Sequence, residues 1–303
     1  MNSEASYADW IAVDWGTSHV RAWAMRNAKS IAEAHSDQGM STLSKDSFEG
    51  ALLAMVEPWM GAQKMTVVAC GMVGARQGWA EARYADVPCT PVSVSQTQPA
   101  VNDARLDVHI LPGLCQRTPA DVMRGEETQI AGFLAQNPGF DGVICLPGTH
   151  TKWAQISAGE VISFRTFMTG EFFALLSKSS VLRHSLAKGW NEEAFAQAVS
   201  DGLSKPEAMA SRFFSLRAES LLADLEGASA TARLSGLLLG AELAAARPYW
   251  LGQRVALIGD ATLSKHYATA LALQGVAAET ANATEVTLAG LRAAYEQIKE
   301  NVS

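Results

Sequence analysis

Cysteine is scarce: this chain of 303 residues has 4, and they stand apart. Cys70, Cys89, Cys115 and Cys145 form no Cys-x-x-Cys pair and have no histidine cluster beside them, which excludes the common zinc and dithiol spacings. Cys70 and Cys145 end apolar runs, so they read as buried free thiols in a reducing compartment. Blocks of Lys and Arg are missing, and the net charge is −7. A nucleic-acid partner, which demands a basic surface, is excluded on that ground. No apolar run approaches the length of a membrane span, and no basic start followed by an apolar stretch marks a signal peptide. The expectation is a cytoplasmic protein without a membrane partner. Gly-x-x-x-x-Gly-Lys-Ser/Thr is absent, so this is not a P-loop enzyme, and the absence of Gly-x-Gly-x-x-Gly argues against a nicotinamide dehydrogenase.

What is present is globular: 48% hydrophobic and 18% charged residues, in a chain long enough for two domains. One motif occurs twice. Ile11-Ala12-Val13-Asp14-Trp15-Gly16-Thr17 is an apolar run that breaks at a Gly-Thr turn and resumes as Arg21-Ala22-Trp23. Val143-Ile144-Cys145-Leu146-Pro147-Gly148-Thr149 does the same and resumes as Lys152-Trp153-Ala154. Each copy reads as strand, turn, strand, with a basic residue and a Trp on the return strand. Two such hairpins suggest two similar domains that offer backbone N–H groups to a polyphosphate from both sides of one cleft.

Strand-like runs at 10–14, 20–26, 65–70 and 108–111 and a helix over 48–59, limited by Pro58, fill the first part. The polar stretch 116–121, with Thr118-Pro119, reads as the crossing between domains. The second part opens with a helix from Glu126 to about Leu134. Strands at 142–146, 151–156 and 161–167 follow. A long helical region runs over 170–247, broken near 188–189, 205–206 and 227. A buried strand at 254–258, a helix over 261–273 and an amphipathic final helix over 284–300 close the chain, with Thr284 as N-cap. Alternating strands and helices give an α/β class. The expected boundaries are 1–118 for the first domain, rejoined by the final helix 285–303, and 119–284 for the second.

The chemistry-bearing residues follow from the turns. Gly16 lets backbone approach a phosphate, Thr17 and Ser18 add donors, and Arg21 could reach charge on a transferred phosphoryl group. Asp14, at a strand end, could hold a hydrated Mg²⁺, which takes oxygen ligands and keeps most of its waters. The plain alternative is a hairpin whose Asp and Thr satisfy turn backbone. The second copy, with Gly148, Thr149 and Lys152, shifts the balance to function. It has Leu146 where Asp14 stands, which is tolerable if one Mg²⁺ is bound. His150 reads as a solvated strand edge. Met123-Arg124-Gly125-Glu126-Glu127-Thr128-Gln129 opens a helix with carboxylates, which a hydroxyl kinase needs near its nucleophile. Helix-end electrostatics alone would also favour Glu there. Gly259-Asp260-Ala261, a strand running into a Gly turn and a helix, could lie under a base or ribose. Ser235 to Ala241 places small residues at helical spacing and reads as close helix packing near a hinge.

Taken together, these blocks resemble the actin, Hsp70 and sugar-kinase superfamily, and within it the 2-dehydro-3-deoxygalactonokinase family. The resemblance rests on Asp14-Trp15-Gly16-Thr17 with Arg21-Ala22-Trp23, Gly71-Met72-Val73-Gly74, Leu111-Pro112-Gly113-Leu114-Cys115 and Met123 to Gln129. Pro147-Gly148-Thr149-His150-x-Lys152-Trp153, Arg165-Thr166-x-Met168-Thr169-Gly170-Glu171 and Ser235-Gly236-Leu237-Leu238-x-Gly240-Ala241-Glu242 complete it. The blocks run in order over nearly the whole chain. The resemblance implies two ribonuclease-H-like domains around an ATP and substrate cleft. It implies ATP-dependent phosphorylation of the C6 hydroxyl of 2-dehydro-3-deoxy-D-galactonate in galactonate breakdown, with Mg²⁺. The superfamily usually carries an Asp as base. Gly125-Glu126 stands there in this chain, so Glu126 is preferred as base and Glu127 is the alternative. The superfamily often dimerises, so a homodimer is an expectation.

A carboxylate substrate calls for a bidentate Arg. The candidates are Arg165, with Thr166 beside it in a matched block, Arg124, and Arg76 just outside one; Arg165 is preferred. Two other readings stay open: a kinase of another 2-keto-3-deoxy acid or sugar, and a non-catalytic nucleotide switch of the actin or Hsp70 type. Against the switch, the chain has no peptide-binding appendage or hydrophobic insertion.

Overall fold

A computed structural model describes residues 7–92 and 95–302. The chain forms two compact units. The first comprises Met1–Phe140, Ala158–Ile162 and Ala283–Ser303, the second Asp141–Ser157 and Ser163–Asn282.

The first unit contains β1 (Trp10–Trp15), β2 (Val20–Arg26), β3 (Lys29–Ser36), α1 (Phe48–Val56), β4 (Met65–Gly71), β5 (Ala85–Asp86), β6 (Leu106–Ile110), β7 (Leu114–Arg117), β8 (Ala120–Met123) and α2 (Glu126–Gln136). Its main sheet runs β3-β2-β1-β4-β6. The first three strands are antiparallel neighbours, and β1, β4 and β6 are parallel. The central strands β1 and β4 are apolar except for Asp14 and Thr66, because both faces are covered. Ile11, Val13, Val67 and Ala69 pack with Phe48 of α1. Trp10, Ala12, Val68 and Cys70 pack on the other side with Leu291, Ala294 and Ile298.

The second unit contains β9 (Gly142–Leu146), β10 (Thr151–Ser157), all but the first three residues of β11 (Glu160–Phe167), α3 (Thr169–Ser179), α4 (Glu192–Ser204), α5 (Met209–Leu222), α6 (Gly227–Ala245), α7 (Arg247–Trp250), β12 (Val255–Gly259), α8 (Ala261–Ala272) and β13 (Ala278–Asn282). The final helix, α9 (Ala283–Val302), belongs to the first unit. The second sheet runs β11-β10-β9-β12-β13. β9 is antiparallel to β10 and parallel to β12, which is parallel to β13. Strand for strand, this order repeats that of the first sheet. Helices α4 and α6 lie in near-backbone contact through the small residues seen in the sequence: a Cβ at Gly240 would lie 2.3 Å from Val199 O.

Three expectations need correction. Residues 116–121 are no crossing between domains. They belong to the β7–β8 hairpin, in which Gln116 pairs with Asp121, and its polarity comes from a short sheet with one exposed side. The compact first unit accordingly runs past the expected boundary at 118 and keeps α2, which packs on α9 within it. Thr284 is not an N-cap: it lies inside the first turn of α9, and its hydroxyl accepts from Arg21 Nη1 at 3.0 Å. Edge strands β3 and β13 had no counterpart in the periodicity. Their residues are largely half-buried or exposed, so the apolar alternation that marks a strand is missing.

Candidate active site

In the first unit the residues gather around the β1–β2 turn. Gly16 N donates to His19 O at 2.8 Å, closing the turn. Residues 39–41 brace it from behind: Met40 N donates to Gly16 O at 3.0 Å and Ser41 N to Thr17 O at 2.9 Å. A Cβ at Gly39 would fall 2.2 Å from Ser18 C, so only glycine allows the approach. Thr17 and Ser18 are left exposed. Antiparallel register sets Asp14 opposite Arg21, and Arg21 Nη2 donates to Asp14 Oδ2 at 2.7 Å. With Thr284 on its other arm, the guanidinium is held at two points. The pair is partly exposed, so it positions the groups more than it stabilises the fold.

Parallel register carries the site across to α2. Asp14 pairs with Cys70 and Trp15 with Gly71. Gly71 has φ +89°, and a Cβ there would stand 2.6 Å from Trp15 O. Gly125, the residue before α2, has φ +106°, and its Cβ would lie 3.4 Å from Gly71 Cα. Two glycines in the left-handed region thus bring the start of α2 against the end of β4.

The two glutamates at that start differ. Glu127 is 1% exposed. Its Oε2 accepts from Gly125 N at 2.6 Å and its Oε1 from the Thr128 hydroxyl at 2.9 Å. Burial first, and the Glu126 charge second, push its pKa up to about 8. Glu126 is half-buried and accepts from Arg124 N at 3.0 Å. Glu126 is therefore the carboxylate with access to a ligand, and Glu127 is turned inward.

The three candidate arginines separate clearly. Arg124 packs over the Tyr84 ring at 4.3 Å and donates from Nη2 to Ala82 O at 2.8 Å. Its Nε and Nη1 are buried without an acceptor. Such groups are costly, about 1–3 kcal/mol each, and call for an explanation. Arg76 is exposed and lies 3.5 Å from Glu81. Arg165 is exposed on β11, in the sheet of the second unit, with Thr166 half-buried next to it.

In the second unit the β9–β10 turn is built differently. A Cβ at Gly148 would meet nothing within 4 Å, so the turn is open there. The first turn of α3 presses on it from one side: a Cβ at Gly170 would lie 2.3 Å from Gly148 O. Glu171 N donates to Thr149 O at 3.0 Å. His150 is exposed, as expected, and its Nε2 lies 2.6 Å from Glu171 Oε2. Gly259 closes in from another side, where a Cβ would stand 3.0 Å from Pro147 O and 3.3 Å from Ser264 Oγ. Lys152 is buried rather than solvated, with Nζ 3.4 Å from His150 O. Asp260 caps α8, its Oδ1 accepting from Thr262 N at 2.9 Å and Leu263 N at 3.1 Å. Its carboxylate is thus committed to the helix start, and Ala261 is the first helical residue.

Beneath this turn lies Glu242, 3% exposed. Its Oε1 accepts from Trp153 Nε1 at 2.7 Å, and its Oε2 from Tyr267 OH at 2.8 Å and from the Thr169 hydroxyl. Burial raises its pKa to about 7 against these hydrogen bonds, which lower it. Beside the turn is a cavity of about 330 Å³ lined by Gly148, Thr149, Trp190, Leu238, Leu263 and His266, among others. Trp190 and His266 stack at 3.9 Å between ring centroids, and burial lowers the His266 pKa. Neither Arg165 nor Thr166 lines it.

Sequence reasoning missed Thr284, Trp190, His266 and Glu242 as parts of these groups. Glu242 and Thr169 stood in recognised blocks but carried no signal of their contact, 73 residues apart. Among the described residues no helix is long and apolar enough to cross a membrane, and no group of three or more His, Cys, Asp or Glu could hold a metal by itself.

A sequence model of the 2-keto-3-deoxy-galactonokinase family matches residues 14–294. A Rhizobium meliloti (strain 1021) protein named for 2-dehydro-3-deoxygalactonokinase activity is 38% identical over 310 residues, covering 98% of this chain and 99% of that one. The 2-dehydro-3-deoxygalactonokinase of Escherichia coli (strain K12) is 35% identical over 272 residues, covering 88% and 91%. A crystal structure from Sinorhizobium meliloti, named for the same kinase, superposes with a TM-score of 0.87 at 38% identity, over 95% of this chain and 96% of that one. Component A of (R)-2-hydroxyglutaryl-CoA dehydratase from Acidaminococcus fermentans shares the fold alone, with a TM-score of 0.54 at 13% identity over 95% and 98%.

Proposed function

This chain belongs to the 2-keto-3-deoxy-galactonokinase family, and we propose from that premise how its own residues divide the work of phosphoryl transfer. It has the fold of the actin, Hsp70 and sugar-kinase superfamily. Its reaction is the ATP-dependent phosphorylation of 2-dehydro-3-deoxygalactonate in galactonate catabolism. The family uses ATP with a divalent cation. The finer reading is that each unit is a ribonuclease-H-like domain and that the C6 hydroxyl is the acceptor.

Glu126 is the proposed base. The observation that carries this is the contrast at the start of α2: Glu127 is sealed and spends both oxygens on local donors, while Glu126 keeps access. Its carboxylate takes the proton of the acceptor hydroxyl as that oxygen bonds to the γ-phosphorus and the bond to the ADP oxygen breaks. A loose transition state asks for this proton late, so a weakly basic carboxylate suffices. Arg21, fixed by Asp14 and Thr284, faces the charge on the phosphoryl oxygens. The N–H groups and hydroxyls of Gly16, Thr17 and Ser18 on one turn, and of Gly148 and Thr149 with Lys152 on the other, hold phosphate.

The residues fit a magnesium ion held mainly by its own waters and by phosphate. Asp14 offers a partly exposed carboxylate at a strand end, its Oδ2 held by Arg21. Bound there, the ion would neutralise charge on the phosphate oxygens. The cavity walled by Trp190, His266, Leu238 and Leu263 suits an adenine ring, with Gly259 and Ala261 beside the ribose; Asp260 serves by capping α8. Arg124 is the proposed partner of the substrate carboxylate, in preference to Arg165 and Arg76, because its Nε and Nη1 have no acceptor and it stands two residues before Glu126. The reading places the enzyme in the cytoplasm.

The test is coupled ADP release with Mg-ATP and a panel of 2-dehydro-3-deoxy acids, on the parent and on Glu126→Gln. Preference for the galactonate-derived acid, with turnover lost in Glu126→Gln while ATP still binds, supports both substrate and base. Full turnover in Glu126→Gln removes Glu126 from the chemistry.

A further inference from the structure

Glu242 lies below the β9–β10 turn and takes no part in the mechanism above, yet its burial is costly for a carboxylate. Its three donors come from three different elements: Trp153 on β10, Thr169 at the start of α3 and Tyr267 on α8. Tyr267 OH is in turn 2.8 Å from the Thr151 hydroxyl, two residues past the turn. Thr169 leads directly into Gly170 and Glu171, which press on Gly148 O and bond Thr149 O. One carboxylate therefore ties together the strand that leaves the turn, the helix start that braces the turn, and the helix that follows Gly259.

We propose that Glu242 is the positioning residue of the Gly148–Thr149 turn, holding it through Thr169 in the shape that receives phosphate. The claim rests on the reading of that turn as a phosphate site. Glu242 itself does not line the cavity beside the turn. Once ionised, above about pH 7, the Glu242 carboxylate only accepts, and all three partners present a hydrogen to it. A glutamine of the same size would replace charge-assisted hydrogen bonds by neutral ones, about half as strong, its carbonyl accepting from Trp153 and its NH₂ donating to the Thr169 and Tyr267 hydroxyls. The anchor of the helix start, and with it the brace of the turn, would weaken.

The experiment is calorimetric binding of ADP and, separately, of adenosine to the full-length parent and to Glu242→Gln, Thr169→Val, Thr169→Ser and Thr149→Val. Loss of one hydrogen bond to a charged group predicts roughly a tenfold weaker ADP Kd in both Glu242→Gln and Thr169→Val, with a smaller loss for adenosine, since Thr169 also lines the cavity beside the turn. Thr169→Ser restores parent affinity, and the Glu242→Gln/Thr169→Val double variant is no weaker than either single, since both cut the same link. If Glu242→Gln fails to fold, Thr169→Val, a near-isosteric change at one spoke, still decides. Parent-like ADP binding in Thr169→Val and Glu242→Gln, or an equal loss for ADP and adenosine, overturns the proposal; a loss confined to Thr149→Val then leaves the turn reading standing. Parent-like ADP binding in Thr149→Val overturns the turn reading and the proposal with it.

Discussion

Gly132 of α2 lies against the backbone of Val286 in α9 so closely that a Cβ on Gly132 would stand 1.7 Å from Val286 O. The contact is reciprocal, since a Cβ on Gly290 would lie 1.9 Å from Thr128 O. Two helices far apart in sequence cross here with no side chain between them. The crossing fixes the height of α2, and with it the height of Glu126 at its start.

Gly132→Ala is therefore expected to act at a distance. The new methyl meets backbone, which cannot rotate away, so α2 must shift. Overpacking of this kind costs about 1–3 kcal/mol. Thermal unfolding should show the drop. Turnover should fall further than stability alone explains, because a base displaced by about 1 Å loses roughly a hundredfold in rate. A parent-like kcat in folded Gly132→Ala would detach the crossing from catalysis.

Arg124 and Arg165 make opposite predictions. Arg124 has two buried N–H groups without an acceptor, and Arg165 is exposed. Arg124→Met is expected to raise KM for the sugar acid by at least tenfold, the order of a lost charge-assisted pair, with KM for ATP unchanged. Arg165→Met should leave both constants near the parent values. The reverse pattern in steady-state kinetics would return the carboxylate to Arg165.

Trp190 tests the proposed adenine wall. Its ring stacks on His266 and faces the cavity beside Thr149. Aromatic contacts of this kind contribute about 0.5–1.5 kcal/mol beyond area. Trp190→Ala should raise KM for ATP several-fold while KM for the acid holds. Equal change in both would place the cavity outside the nucleotide site.

Both Gly-Thr hairpins and the central strands were legible because their sheets are covered on both faces, so the apolar runs are unbroken until the turn. Asp14 and Arg21 were each legible as site residues, but not as a pair: their contact follows from the register of the folded hairpin. Strands β3 and β13 were not legible, since edges carry little apolar signal. The β7–β8 hairpin read as a linker because its residues are polar and its turn holds Thr118-Pro119. The roles of Thr284, Thr169 and Glu242 could not be read at all: each depends on a partner brought close by the fold. The contrast between Glu126 and Glu127 was only half visible, because adjacency in sequence says nothing of which one turns inward.

That contrast leaves a mark on stability against pH. Glu127 has an ordinary value near 4.5 and a folded value of about 8, chiefly from burial. Between these limits the folded state keeps the proton that the unfolded state has released. Stability therefore falls as pH rises from about 4.5, and the loss from this group is complete above about 8. Glu242 behaves alike, but only up to about 7. From pH 7 to 8 the slope thus belongs mainly to Glu127, and the buried thiols Cys70 and Cys145, raised above 9.0, titrate later still. Glu127→Gln should flatten the decline in Tm across pH 7–8 relative to the parent. An unchanged slope would mean that Glu127 is already ionised in the folded protein, with its charge carried by Gly125 N and Thr128.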